Sequence, residues 1–180
     1  MNKALLDTDI LSEIIKGIDQ TVARNAAAYY QAFGQFTLSA VTVMEIVQGF
    51  QKKQSFRKLQ SFLAQIAAEE VIDFDRTHGA LAGRIAGELE RIGQPIGTPD
   101  SMIAAIALEH SLELVTGNTA HFQRVQQLGY PLTLARAACW DRPRPGSEPE
   151  GRSLARVGIR HGTAWPAFRL AGARRACGRP

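Results

Sequence analysis

Short apolar runs alternate along this chain with longer stretches whose apolar residues recur at helical spacing. Lys3 to Leu6, Phe36 to Ser39, Val71 to Phe74 and Leu112 to Thr116 read as strands, and Leu132 to Leu134, after Pro131, as an edge strand. Asp9 is expected to cap a helix from Ile10 to Lys16, with Gly17 as its stop signal. A second helix runs from about Asp19 to Phe33 on Val22, Ala26, Tyr29, Tyr30 and Phe33, and a third begins at Thr42 with Val43, Ile46, Val47 and Phe50. Another amphipathic segment carries Phe56, Leu59, Phe62, Leu63 and Ile66. Asp75 opens a long helix through Ala80, Leu81, Ile85, Leu89 and Ile92. The turn Pro95-Ile96-Gly97-Thr98-Pro99 precedes an apolar helix from Asp100 to Glu109, and VTGNTAHF (115–122) leads into a last helix ending near Leu128. Strands alternating with helices predict an α/β fold, a mostly parallel sheet covered by helices on both faces. Ligands of such folds gather beyond the carboxyl ends of the strands.

Charge divides the chain in two. Residues 136–180 hold ten Arg, no Lys and three acids, a net +7, whereas residues 1–135 carry 11 basic and 14 acidic side chains, a net −3. The pI of about 9.4 is therefore set by the tail and says nothing about the ligand of the body. The domain reading is one domain over 1–135 followed by a basic Arg/Ala/Gly/Pro-rich tail over 136–180, expected to be disordered. The tail reads either as an RNA-binding arm or as a non-homologous extension. Its arginines without lysine, beside a body of five Lys and six Arg, favour the extension, and deletion of 137–180 is expected to leave folding and catalysis intact. Both cysteines, Cys139 and Cys177, lie in it, so the body offers neither a disulfide framework nor a thiolate metal site. Asp7 interrupts the N-terminal apolar residues too early for a signal peptide, and no run approaches a membrane span, which leads to the expectation of a cytoplasmic protein.

Three carboxylates fall where a parallel sheet would bring them together. Asp7 closes the first strand in LLDTD, Glu45 lies one turn into the helix after the second, and Asp100 opens the helix before the fourth. Converging carboxylates repel each other unless a cation is present, and Mg²⁺ suits such a site because it binds through few carboxylates and retains waters. Each acid has a structural alternative. Thr42-Val43-Met44-Glu45 fits a capping box, and Asp100 in a first helical turn is favoured by the helix dipole. Asp7 is harder to explain structurally, since an acid directly after a buried strand gains little without a polar partner.

Together LLDTDILSE (5–13), SAVTVMEIVQG (39–49), GQPIGTPDSMIAAIAL (93–108) and LVTGNTAHFQRV (114–125) resemble the motif blocks of PIN-domain ribonucleases, specifically VapC-type toxins of bacterial toxin-antitoxin pairs. The resemblance covers about residues 2–134, with every block in family order. It implies an endoribonuclease whose Asp7, Glu45 and Asp100 hold Mg²⁺ or Mn²⁺, usually a homodimer, silenced by a VapB-like antitoxin and acting on structured RNA such as tRNA or rRNA. It also implies products with 5′-phosphate and 3′-hydroxyl ends.

The chain departs from that pattern at one corner. Many PIN nucleases carry a fourth acid just beyond the fourth strand, at the position of Asn118 or His121. Asn118 can offer a neutral oxygen to an ion or its waters, or can cap the helix; His121 can meet phosphate or move a proton, or can lie in the first helical turn facing solvent. Asp9 resembles the second polar residue of the VapC opening block, which helix capping explains equally well; Thr8 can orient a carboxylate or water, and His78 and His110 read as surface or satisfied polar residues. Two other functions stand beside the nuclease: a degenerate PIN module that binds RNA or antitoxin without cutting, and a haloacid-dehalogenase-like phosphatase suggested by Asp7-Thr8-Asp9. The latter chemistry normally wants a later lysine, and none follows Lys58.

Overall fold

A computed structural model describes residues 2–136; the reading of the tail from residue 137 onward lies outside the described residues. Five strands, β1 (Ala4–Leu6), β2 (Thr37–Ser39), β3 (Glu70–Ile72), β4 (Glu113–Val115) and β5 (Thr133–Ala135), form one sheet in the order β3-β2-β1-β4-β5. Every pairing is parallel, with Leu5 opposite Thr37 on one side of β1 and opposite Leu114 on the other. Helices α1 (Thr8–Lys16), α2 (Gln20–Phe33), α3 (Ala40–Lys52), α4 (Phe56–Ile66), α5 (Arg76–Arg91), α6 (Thr98–Glu109) and α7 (Thr119–Gln127) make the connections.

The period of two along each strand divides its side chains between two cores. Ala4, Leu6, Leu38 and Val115 join Ile10, Leu11, Ile14, Tyr29, Ile46 and Phe62 from α1 to α4. Leu5 and Leu114 face the other way, onto Ile85, Leu89, Ile103, Ile106, Phe122 and Val125 from α5 to α7. The expected two-faced α/β architecture is present, and β1, at the centre of the sheet, is buried on both sides.

Four local expectations are corrected. Asp7, not Asp9, caps α1: its extended backbone ends β1 while its side chain accepts from Thr8 N–H. Ser39 caps α3 by accepting from Thr42 N–H, so the helix starts earlier and Thr42 with Glu45 forms no capping box. The third strand is shifted to Glu70–Ile72, where Glu70 N–H bonds Phe36 carbonyl and the Glu70 carboxylate accepts from Thr37 hydroxyl at 2.7 Å. Finally α6 starts at Thr98, with Pro99 in its first turn, where a missing N–H costs nothing. His78 proves to be the satisfied histidine: it is buried, closes a capping box with Asp75 and stacks on His110 with ring centroids 5.2 Å apart.

Candidate active site

The parallel register delivers three polar segments to one end of the sheet. Asp7 follows β1 and its N–H bonds the Val115 carbonyl at 3.0 Å, so the strand pairing continues into the first acid. Thr116 continues β4 in the same way, its N–H bonding Ala135 carbonyl at 3.1 Å. Ser39 turns β2 into α3, which places Glu45 in that helix's second turn, half-buried.

A continuous run of hydrogen bonds joins these segments. Thr8 hydroxyl donates to Glu45 Oε2 at 2.6 Å, while Thr8 N–H donates to Asp7 Oδ1 at 2.7 Å. The buried Thr116 hydroxyl donates to Asp7 Oδ2 at 2.7 Å and accepts from Asn118 N–H at 2.9 Å. Asn118 stands at the N-cap of α7 but makes no side-chain cap bond; its amide instead meets His121 Nδ1 at 2.7 Å. The same ring nitrogen lies 2.7 Å from Asp100 Oδ2. An ionised carboxylate only accepts, so the tautomer that bonds Asp100 carries its proton on Nδ1, and in that tautomer the same nitrogen cannot also accept from the Asn118 amide. The run therefore reaches all three expected acids, Asp7, Glu45 and Asp100, and the two residues of the missing fourth corner.

Asp9 is the residue that the sequence left undecided. It lies in the first turn of α1, where its Oδ1 accepts from Ile10 N–H at 2.6 Å, but its Oδ2 reaches across to Gly117 N–H at 2.8 Å. A Cβ at Gly117 would lie 2.6 Å from that oxygen, so glycine permits the approach. The small residue in Val115-Thr116-Gly117-Asn118 was the available signal, although a turn there explains it as well. Thr116 could have been picked out as a hydroxyl directly after a buried strand.

Electrostatics mark this end of the sheet as short of positive charge. Burial pushes the Asp7 carboxyl up to about 7, and Asp9 and Asp100 add to the rise against the hydrogen bonds from Thr116 and Thr8. Burial likewise raises Asp9, with a smaller push from Asp100, against backbone N–H bonds from Gly117, Ile10 and Asn118. Among the described residues no Lys or Arg is ion-paired with Asp7, Asp9, Glu45 or Asp100. Oxygen donors that repel one another and lack a lysine or arginine partner suit a hard divalent cation. Among the described residues no group of three or more His, Cys, Asp or Glu side chains is arranged to hold a metal ion, and Glu45 and Asp100 are instead bonded to Thr8 and His121.

Comparison with known proteins decides the family. Residues 4–128 match the PIN domain. The chain belongs to the PIN-domain family, on its VapC branch. It is 34% identical over 129 residues to the tRNA(fMet)-specific endonuclease VapC of Shigella flexneri, covering 69% of this chain and 93% of that protein. Its identity to ribonuclease VapC2 of Haemophilus influenzae is 31% over the same length, with the same coverage. The fold superposes on the crystal structure of DNA-bound VapBC from Salmonella typhimurium with a TM-score of 0.60 at 28% identity, over 76% of this chain and 99% of that one. PIN membership sets aside the phosphatase suggested by Asp7-Thr8-Asp9. It also gives the site end of the sheet its setting, since the matched segment contains each of Asp7, Glu45, Asp100, Asn118 and His121.

Proposed function

We propose that this PIN-domain protein is a metal-dependent endoribonuclease acting as the toxin of a VapBC-type pair. The observation that carries the reading is the hydrogen-bonded run from Glu45 through Asp7 to Asp100, which gathers acids from three separate chain segments without a lysine or arginine partner. Its VapC relatives are named as ribonucleases or as tRNA(fMet)-specific endonucleases, which supports structured RNA as substrate. Solved neighbours are VapBC complexes, which supports an antitoxin as partner. A homodimer working in the cytoplasm completes the proposal, consistent with the finding that no helix among the described residues is long and apolar enough to cross a membrane.

Asp7, Glu45 and Asp100 would hold Mg²⁺ or Mn²⁺. When bound, the ion supplies charge neutralisation at the phosphate and makes water a stronger acid. The protein's own part is positional. Thr8 and Thr116 fix the two oxygens of Asp7, so its carboxylate cannot turn freely as RNA arrives. Water attacks phosphorus in line, the bond from phosphorus to the 3′ oxygen breaks, and that oxygen takes up a proton, leaving 5′-phosphate and 3′-hydroxyl ends. His121, half-exposed beside Asp100, would meet a phosphate oxygen or pass that proton, and Asn118 would offer a neutral oxygen at the corner where many PIN nucleases carry an acid.

The test is incubation of the purified protein with total bacterial RNA, with Mg²⁺ or Mn²⁺ and with chelator, beside Asp7→Asn and Asp100→Asn. Discrete products that require metal and vanish in both variants are expected. Identical RNA profiles in every lane, with folded protein, would leave a module that binds without cutting.

A further inference from the structure

A groove of about 360 Å³ begins at Thr8 and Glu45 and runs between α1, α3 and α4 to Lys53 and Lys58, over a floor that includes Phe50. We infer that this groove carries the RNA strand flanking the cleavage site, with Lys53 and Lys58 gripping its phosphates. The inference rests on the endonuclease reading above and adds the path that the substrate takes.

Charge is the first reason. The body from 1 to 135 is net negative and its active end is a cluster of acids, a combination that repels a polyanion. Yet Lys52, Lys53, Arg57 and Lys58 fall within one stretch of seven residues at the α3–α4 connection. All four are exposed, and among the described residues none of them is ion-paired. Two of these cations line the groove, whose other end is the site itself.

Rigidity is the second. The connection is tied by Lys53 N–H to Gly49 carbonyl at 3.3 Å, Gln54 N–H to Gln51 carbonyl at 3.0 Å and Ser55 N–H to Phe50 carbonyl at 2.9 Å, with Gln54 in the left-handed region at φ 51°. Lys53 thus projects from a fixed turn and Lys58 from the first turn of α4, which lowers the ordering cost of binding. Phe50, only partly buried, lines the groove together with Lys53 and Lys58 and offers a ring on which an unpaired base can stack. Cations beside an accessible aromatic ring suit single-stranded nucleic acid.

The test uses the full chain and a fluorescent single-stranded RNA of about 20 nucleotides, a length giving several phosphates per contact site. Binding is followed by anisotropy in chelator over a salt series, and cleavage with Mn²⁺ is measured separately. Lys53→Gln with Lys58→Gln is expected to weaken binding roughly tenfold and to flatten the logarithmic salt slope by about 1.4, since each lost single-strand phosphate contact removes about 0.7. KM should rise by the same factor with kcat within about twofold, the signature of lost uniform binding. Lys53→Arg with Lys58→Arg should restore both. Removing two cations from α5 on the opposite face, by Arg76→Gln with Arg91→Gln, controls for net charge and for the common contribution of the tail. Unchanged binding in the lysine pair, or an equal loss in the α5 pair, overturns the inference. So does unchanged RNA binding with lost inhibition by a co-expressed cognate antitoxin, which would assign the groove to a protein. If lysine-dependent binding appears but no cleavage occurs, the endonuclease reading fails while the groove stands.

Discussion

Thr116 hydroxyl donates to Asp7 Oδ2 at 2.7 Å across 109 residues of sequence, joining the ends of two neighbouring parallel strands inside the acidic site. Both residues are buried, so each satisfies a polar group that water does not reach.

Thr116→Val keeps the shape and removes the donor. It is expected to lower stability by about 1–3 kcal/mol, the cost of leaving a buried acceptor short of a partner. Cleavage should fall by roughly tenfold or more as Asp7 loses its orientation. Thr116→Ser should recover most of both. Thermal denaturation and single-turnover cleavage measure the two effects, and a Val variant as active as the parent would remove Thr116 from the positioning role.

Asp7 sets a pH dependence in the metal-free protein. Its carboxyl titrates near 7 when folded against the ordinary 3.8, so the unfolded chain releases its proton first. This group's contribution is therefore neutral below about pH 4, and becomes increasingly destabilising as pH rises toward 7, by up to a few kcal/mol at about 1.4 per unit. Asp7→Asn should raise the metal-free melting temperature at pH 8 and make little difference at pH 4, while abolishing cleavage. Equal melting shifts at both pH values would contradict this assignment.

Gly117→Ala places a Cβ 2.6 Å from Asp9 Oδ2, closer than real contacts allow. Asp9 must give way and lose its 2.8 Å bond to the Gly117 N–H. A loss of about 1–3 kcal/mol is expected, and in a double-mutant cycle Asp9→Ala should absorb most of it. Additive losses would show that the two positions are not coupled.

Asn118→Asp restores an acid at the fourth corner, beside His121 and within one ring of Asp100. Calorimetric titration should show tighter Mn²⁺ binding, and the metal concentration for half-maximal cleavage should drop. No change in either would return Asn118 to an ordinary helix start.

Much of the architecture could be read from periodicity. The strands that are buried on both faces appear as apolar runs, and helices such as α2 and α5 announce themselves by spacing and by Asp19 and Asp75 as caps. Boundaries were less legible where two polar residues compete for the same cap. Asp7 and Asp9 are two apart and either can serve α1; Ser39 and Thr42 are three apart and either can open α3. Local chemistry scores such pairs alike, and the strand register selects one because Asp7 N–H is already committed to Val115 carbonyl.

By itself the sequence determined the alternation of elements, the candidacy of Asp7, Glu45 and Asp100, and the absence of an acid at 118 and 121, since these depend on residue type and spacing along the chain. Only the tertiary structure decided what each group touches. It turned Asp9 from a cap into a clasp on Gly117, set Thr8 and Thr116 on the carboxylates, and drew His121 onto Asp100. Those partners come from segments up to 109 residues apart, and a hydrogen bond extends only a few ångströms, so no local pattern encodes them until parallel pairing brings the strand ends together.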